Sequence, residues 1–277
     1  AQLAAMVGYD PDRQWGHLCS GGTVANMEAL WIARNVKYLP VALYWAVAEL
    51  ADELADRPLA VRLPDGRQSF IGELDLWALL NIRGEDALNS LDAFLALRPD
   101  DPTWSDRAWK AMHRNSLSEL GFQAFGLRLA HDFDDALPPG VVLVPSTAHY
   151  SWAKSCRVLG LGEAQLVHVP VDDHFRMDPD ALAGLLAELA ARRQPVIAAV
   201  TVTGSTEESA VDRLDLLLDV RTRAERELGI TFHFHADAAW GGYAASLTRN
   251  PDGSRRSHAQ TIDDLATDAQ ADDAWPD

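Results

Sequence analysis

From residue 141 to 242 the hydrophobic positions fall into two alternating kinds: short runs dense in Val, Ile and Ala, and longer stretches in which Leu recurs at helical spacing. That alternation predicts strands joined by crossover helices, the pattern of a parallel sheet covered on both faces. VVLVP (141–145) reads as a buried strand, a helix follows over 151–159, and a strand lies around 165–169. Asp178 and Pro179 open a helix whose Leu182, Leu185, Leu186 and Leu189 form an apolar stripe, closed by Arg192 and Arg193. PVIAAVTVTG (195–204) is a further buried strand, and the next helix, 214–228, stops at Gly229. ITFHFHAD (230–237) is the strand after it.

The flanks read differently. Two glycines and small polar residues stand directly before a predicted helix over 24–38, while 41–121 is rich in Trp and Leu with weak helical periodicity, the reading of helices and irregular connections with little strand. Residues 41–121 are therefore expected to be a helical insertion. The segment 248–277 is polar, acidic and without apolar period, so an exposed tail is expected there.

Composition narrows the classes. At 277 residues with 48% hydrophobic and 23% charged positions, the chain can bury a sizeable core, which excludes wholesale disorder. A net charge of -17 repels nucleic-acid phosphates and anionic lipid surfaces, so neither is an expected partner. No run approaches the ~18 apolar residues of a membrane-spanning helix; the best, 39–48, runs into Glu49 and Asp52. The first residues, AQLAAMVGYD, contain no basic leader, and Cys19 and Cys156 make no CxxC or disulfide framework, so a reducing, cytoplasmic setting is expected.

Four segments could carry chemistry. Around 19–23, backbone N–H groups, two glycines, the Ser20 and Thr23 hydroxyls and a helix N-terminus make a phosphate cradle; the alternative is an ordinary turn with Thr23 as N-cap. His149 follows the first strand at the carboxyl edge of the sheet, where open α/β sheets hold ligands and where an imidazole can stack on a flat ring. Lys154 reads as a surface or intersubunit ion-pairing residue. Ser205 and Thr206 follow the third strand on the same edge, and period-2 alternation sets His233, His235 and Asp237 on one side of the fourth. Those three could be ligands of a metal-dependent hydrolase, with His149 as a fourth, or Asp237 could partner a protonated ring nitrogen while the histidines pack under the sheet.

The order of these segments resembles the group II pyridoxal-phosphate-dependent amino-acid decarboxylases. SGGTVAN (20–26), HYSWAKS (149–155), GSTEESAVD (204–212) and HADAAWGG (235–242) are similar to four motifs of that family, in the family's order, and the wording is most similar to its bacterial tyrosine decarboxylase-like branch. The resemblance implies a partial fold-type-I large domain, a three-layer α/β/α architecture on a mostly parallel sheet, over residues 1–247. It implies pyridoxal 5'-phosphate as cofactor, with Gly22 and Thr23 at the phosphate, His149 on the ring face, Thr206 as a cofactor contact and Asp237 at the ring nitrogen. It further implies an amino-acid substrate, aromatic by branch, decarboxylated to the amine, and a homodimer.

Two departures stand out. The family's Schiff-base lysine lies some tens of residues beyond the aspartate, whereas this chain's three lysines, Lys37, Lys110 and Lys154, all precede Asp237. Neither the family's N-terminal segment nor its C-terminal small domain is represented, so the expectation is a fragment that does not turn over efficiently alone. Two rivals follow: a non-catalytic binding or assembly protein built on a decarboxylase-like domain, and the metal-dependent hydrolase using His233, His235 and Asp237.

Overall fold

A computed structural model describes residues 2–10, 12, 14–133, 137–250, 252, 254–257 and 259–263. The chain opens with α1 (Gln2–Val7), crosses an irregular stretch to Gly21 and enters α2 (Gly22–Glu49). The helix expected over 24–38 is thus longer at both ends and passes through Pro40. Proline removes one helical hydrogen bond. The helix nevertheless continues because Pro40 and the residues after it, Val41, Ala42, Leu43, Trp45 and Ala46, are all buried, and that packing outweighs the local preference.

Next come α3 (Ala51–Leu54), a hairpin of β1 (Ala60–Arg62) and β2 (Gln68–Phe70), α4 (Leu76–Leu80), α5 (Gly84–Leu95), α6 (Trp104–Arg114) and α7 (Leu117–Asp132). α7 is broken at Gly121, whose φ of +74° no helix accommodates. Trp104, Phe94, Phe125, Leu79 and Leu43 are completely or almost completely buried in a core private to this helical body. Residues 41–121 form helices with one short hairpin, and α2, which crosses residue 41, packs in both the helical body and the sheet layer.

The sheet follows as β3 (Val141–Pro145), α8 (Ser151–Val158), β4 (Leu166–Val169), α9 (Pro179–Ala191), β5 (Val196–Val202), α10 (Leu214–Leu228) and β6 (His233–Asp237). The strands lie in the order β4-β3-β5-β6 and all pairs are parallel. Asp178 caps α9 by accepting from the N–H groups of Asp180 and Ala181 at 2.8 and 3.2 Å. Gly229, at φ +63°, closes α10. β6 starts three residues later than the sequence pattern suggests. Thr231 gives its N–H to Asn81 Oδ1 at 3.0 Å and its carbonyl accepts from Lys37 Nζ at 2.6 Å, so side chains occupy the backbone groups a ladder would use. Burial holds the Lys37 ammonium well below the usual lysine range, at about 7.

Alternation along the strands gives two apolar layers. Val141 and Leu143 face α9 and α10 with Leu182, Leu186, Leu189 and Leu217. Val142 and Val144 face α2 and α8 with Leu30, Ala33, Trp152 and Cys156. The three-layer α/β/α arrangement is therefore present. After β6 a 3-10 segment, Gly242–Thr248, packs on α1, and Arg249 bridges Arg255. The rest of the expected tail, 264–277, lies outside the described residues. Among the described residues no helix is long and apolar enough to cross a membrane.

Leu143, 0% exposed on a central strand, is the natural probe of the sheet core. Leu143→Ala is expected to lower unfolding stability by about 3 kcal/mol and Leu143→Met by about 1 kcal/mol or less, measured by urea denaturation followed by circular dichroism. Equal losses for the two would show that the site is not close-packed.

Candidate cofactor site

Three strands deliver their carboxyl ends to one place. Beyond β3 lie Thr147, His149 and Tyr150; beyond β5 lie Gly204, Ser205 and Thr206; β6 ends on Asp237 and is followed by Ala239 and Trp240. Together with Gly22, Thr23 and Asn26 at the start of α2 and Val202 on β5, they line a cavity of about 300 Å³, the lower end of the range for small-ligand pockets. Gly22, Thr23, His149, Thr206 and Asp237, the five residues that the resemblance assigns to the cofactor, all line it, whereas Ser20, Lys154, His233 and His235 do not.

An uncapped helix opens onto the cavity. The N-cap of α2 is Gly21, at φ +89°, and among the described residues no side-chain cap bonds to the first turn, so its N–H groups remain available to an anion. Thr23 lies within the first turn and is not the N-cap, contrary to the turn reading. Gly22 is required sterically, because a Cβ there would come within 2.9 Å of Ala239 Cβ. A tighter contact joins the loops after β5 and β6. Gly241 donates its N–H to the Thr203 carbonyl at 2.8 Å, and a Cβ on Gly241 would lie 2.4 Å from that oxygen.

The same cavity is lined by a buried carboxylate. Asp237 is 7% exposed. Its Oδ2 accepts from Asn26 Nδ2 at 2.7 Å and from Trp152 Nε1 at 3.2 Å, while Oδ1 accepts from the Ala239 N–H at 3.3 Å. Oδ1 is thus the oxygen with capacity for a further donor. His149 Nδ1 accepts from the Ser151 N–H at 3.2 Å, which assigns the ring proton to Nε2. Asn26, Ser151 and Trp152 had been given no role from the sequence. Asn26 and Trp152 sit inside recognised motifs, but only the fold reveals that both converge on Asp237.

Other residues prove structural. Asp212, which ends GSTEESAVD, accepts from the Met177 and Val202 N–H groups at 2.7 Å each, away from the cavity, and burial raises its carboxyl above the usual range. Ser205 Oγ donates to Glu208 and accepts from the Ala210 N–H, shaping its own loop. Lys154 Nζ lies 4.4 Å from the Tyr150 ring centroid, a cation–π contact within the chain. Lys37 is buried on Thr231 and Lys110 pairs with Asp106 on α6, so no lysine lines the cavity.

The histidines of β6 give no support to a metal site. His235 packs edge-on against Trp152 with centroids 5.3 Å apart, and among the described residues no group of three or more His, Cys, Asp or Glu converges to hold an ion. Burial, then the neighbouring His233, pushes the His235 imidazole down to about 4, against an opposing pull from Asp237.

The site combines an open helix N-terminus, an imidazole and a buried carboxylate with a free acceptor site, a set that suits a flat ligand carrying an anion and a basic ring nitrogen. Residues 130–252 match the pyridoxal-dependent decarboxylase conserved domain. The chain is 33% identical to the L-tyrosine decarboxylase of Levilactobacillus brevis over 91% of its own length and 33% of that protein's. With the L-tyrosine decarboxylase of Enterococcus faecium it shares 32% identity over 86% of this chain and 32% of the relative. The glutamate decarboxylase domain of a diaminobutyrate-pyruvate transaminase and L-2,4-diaminobutyrate decarboxylase from Vibrio parahaemolyticus shares the fold, at 18% identity. The TM-score is 0.51, with 94% of this chain and 36% of that one covered. The chain is thus similar to the pyridoxal-dependent decarboxylases over residues 130–252 and to L-tyrosine decarboxylases over most of its own length, and it spans about a third of the length of the curated relatives it matches.

The His235 environment sets a pH response. An imidazole held at about 4 in the fold but near 6.5 when unfolded binds fewer protons in the native state between those values. Its contribution is therefore complete above about 6.5 and is lost as the pH falls towards 4. Melting temperature should fall across that window, and His235→Phe should flatten the fall. An unchanged slope in the variant would assign the response to other groups.

Proposed function

We propose that this chain forms the ring- and phosphate-binding core of an enzyme that decarboxylates an L-amino acid with pyridoxal 5'-phosphate. The observation that carries the reading is the single cavity joining the uncapped start of α2 to the buried carboxylate of Asp237. When bound, the cofactor supplies an electron sink, its protonated ring drawing in the electron pair left behind as the substrate carboxylate departs.

Each residue then has a task. The first-turn N–H groups at Gly22 and Thr23 bind the phosphate, favoured by the positive end of the helix dipole. Thr206 offers a hydroxyl from the loop after β5. His149, steadied through Nδ1 by Ser151, presents a flat neutral ring and an Nε2 proton to the cavity. Asp237, through Oδ1, would hold a proton on the ring nitrogen by charge pairing. Fixing the ring plane in this way selects which substrate bond lies perpendicular to it, and so which bond breaks.

An aromatic substrate is the favoured one. The relatives named as tyrosine decarboxylases support it, as do the aromatic side chains of Tyr150 and Trp240 on the cavity wall. A glutamate-type substrate is the alternative. The homodimer implied by the family is supported by Trp15, Leu18, Trp240 and Tyr243, all at least 67% exposed beside the site. Sedimentation should give twice the 30.3 kDa chain mass; a strict monomer at micromolar concentration would count against the dimer. A second reading, a cofactor-binding or assembly protein without turnover, rests on the three lysines all lying off the cavity.

The test is an absorbance titration with pyridoxal phosphate, then borohydride reduction and peptide mapping. Saturable binding is expected, weakened about tenfold or more by Asp237→Ala, with no lysine covalently labelled and little amine formed by the chain alone. Binding indifferent to Asp237→Ala would overturn the site. Labelling of Lys154 with substantial amine production would overturn the view that turnover needs residues outside this chain.

A further inference from the structure

Asn26 closes the SGGTVAN motif one helical turn after Gly22 and is only 3% exposed. A phosphate cradle has no use for a buried amide at that depth. Its two amide protons are both committed, one to Asp237 Oδ2 at 2.7 Å and one to Ser151 Oγ at 3.1 Å. Ser151 is itself fully buried, and its N–H holds His149 Nδ1. Trp152, the next residue on α8, gives the second donor to the same carboxylate oxygen. The partners of Asn26 lie 125 and 211 residues away in sequence, so one side chain ties the start of α2 to the start of α8 and the end of β6.

We propose that Asn26 is a positioning residue of the cofactor site, holding the Asp237 carboxylate in the orientation that presents Oδ1 and, through Ser151, steadying the turn that carries His149. This rests on the reading of the cavity as a pyridoxal phosphate site. The argument is geometric. A carboxylate with two donors on one oxygen cannot swing without breaking both bonds, and in a buried site neither is replaced by water. The helix end that would take the phosphate therefore also fixes the group that would meet the ring nitrogen. Removing the amide leaves Trp152 as the sole side-chain donor to Asp237 among the described residues and strips Ser151 Oγ of its Asn26 donor.

Two variants of the 277-residue chain test this, Asn26→Ala and the isosteric Asn26→Asp, the latter setting a second carboxylate against Asp237. Each is titrated with pyridoxal phosphate and with its analogue in which the ring nitrogen is replaced by C–H, the phosphate being common to both. For Asn26→Ala the expected loss is about tenfold for pyridoxal phosphate and less than about twofold for the analogue. Asn26→Asp should lose more of the same preference. Equal losses for the two ligands would make Asn26 a purely structural tie and overturn the proposal, as would no loss. A readout without ligand accompanies the titrations: the Trp152 indole N–H resonance, assigned with Trp152→Phe, should move in both variants, and an unmoved resonance would overturn the clamp. Failure of the wild-type chain to bind either ligand would overturn the cofactor reading instead, and is distinguishable because the Trp152 resonance still reports the clamp.

Discussion

A carboxylate withdrawn from water must be given donors, and the architecture around Asp237 follows from that requirement. Three groups meet it: an amide from α2, an indole from α8 and the backbone N–H of the loop after β6. Supplying them fixes how the two helices on one face of the sheet sit against the end of β6, and so fixes where Gly22, Thr23 and His149 lie. The cavity is in this sense a by-product of solvating one side chain with protein dipoles. Apolar packing of Val142, Val144, Leu30 and Ala33 holds the same layers together, but it does not specify their register at the level of a single oxygen atom.

Most of the sheet was legible because its strands are buried on both faces and therefore read as unbroken apolar runs. α9 and α10 were equally clear, since Asp178 with Pro179 and the left-handed Gly229 are local signals that need no tertiary help. What failed was wherever distant packing overrode local preference. Pro40 signals a stop, yet α2 runs on for nine residues because its continuation is buried in the helical body. Ile230 to Phe232 look like strand, yet Thr231 is claimed by Lys37 and Asn81, residues no short-range pattern could bring there.

The site divides along the same line. Residues that meet the cavity stand in short motifs of unusual composition, and all five of those that the resemblance assigns to the cofactor do line it. Residues that hold them in place carry no such signal of their role, even though they stand in the same motifs and Asn26 also lines the cavity. Asn26, Ser151 and Trp152 acquire meaning only when elements far apart in the chain are folded together. Asp212 shows the converse: it belongs to a motif, but its carboxylate is spent on the backbone at Met177 and Val202.

α2 has one further consequence. At 28 residues it is about 42 Å long, with its first turn in the cavity wall and its last turns embedded among the aromatic side chains of the helical body. It is held at both ends, through Asn26 on Asp237 and Ser151 near its start and through Leu43 and Trp45 in the helical body further on, so a single continuous element joins the wall of the cavity to a core that the cavity residues never touch.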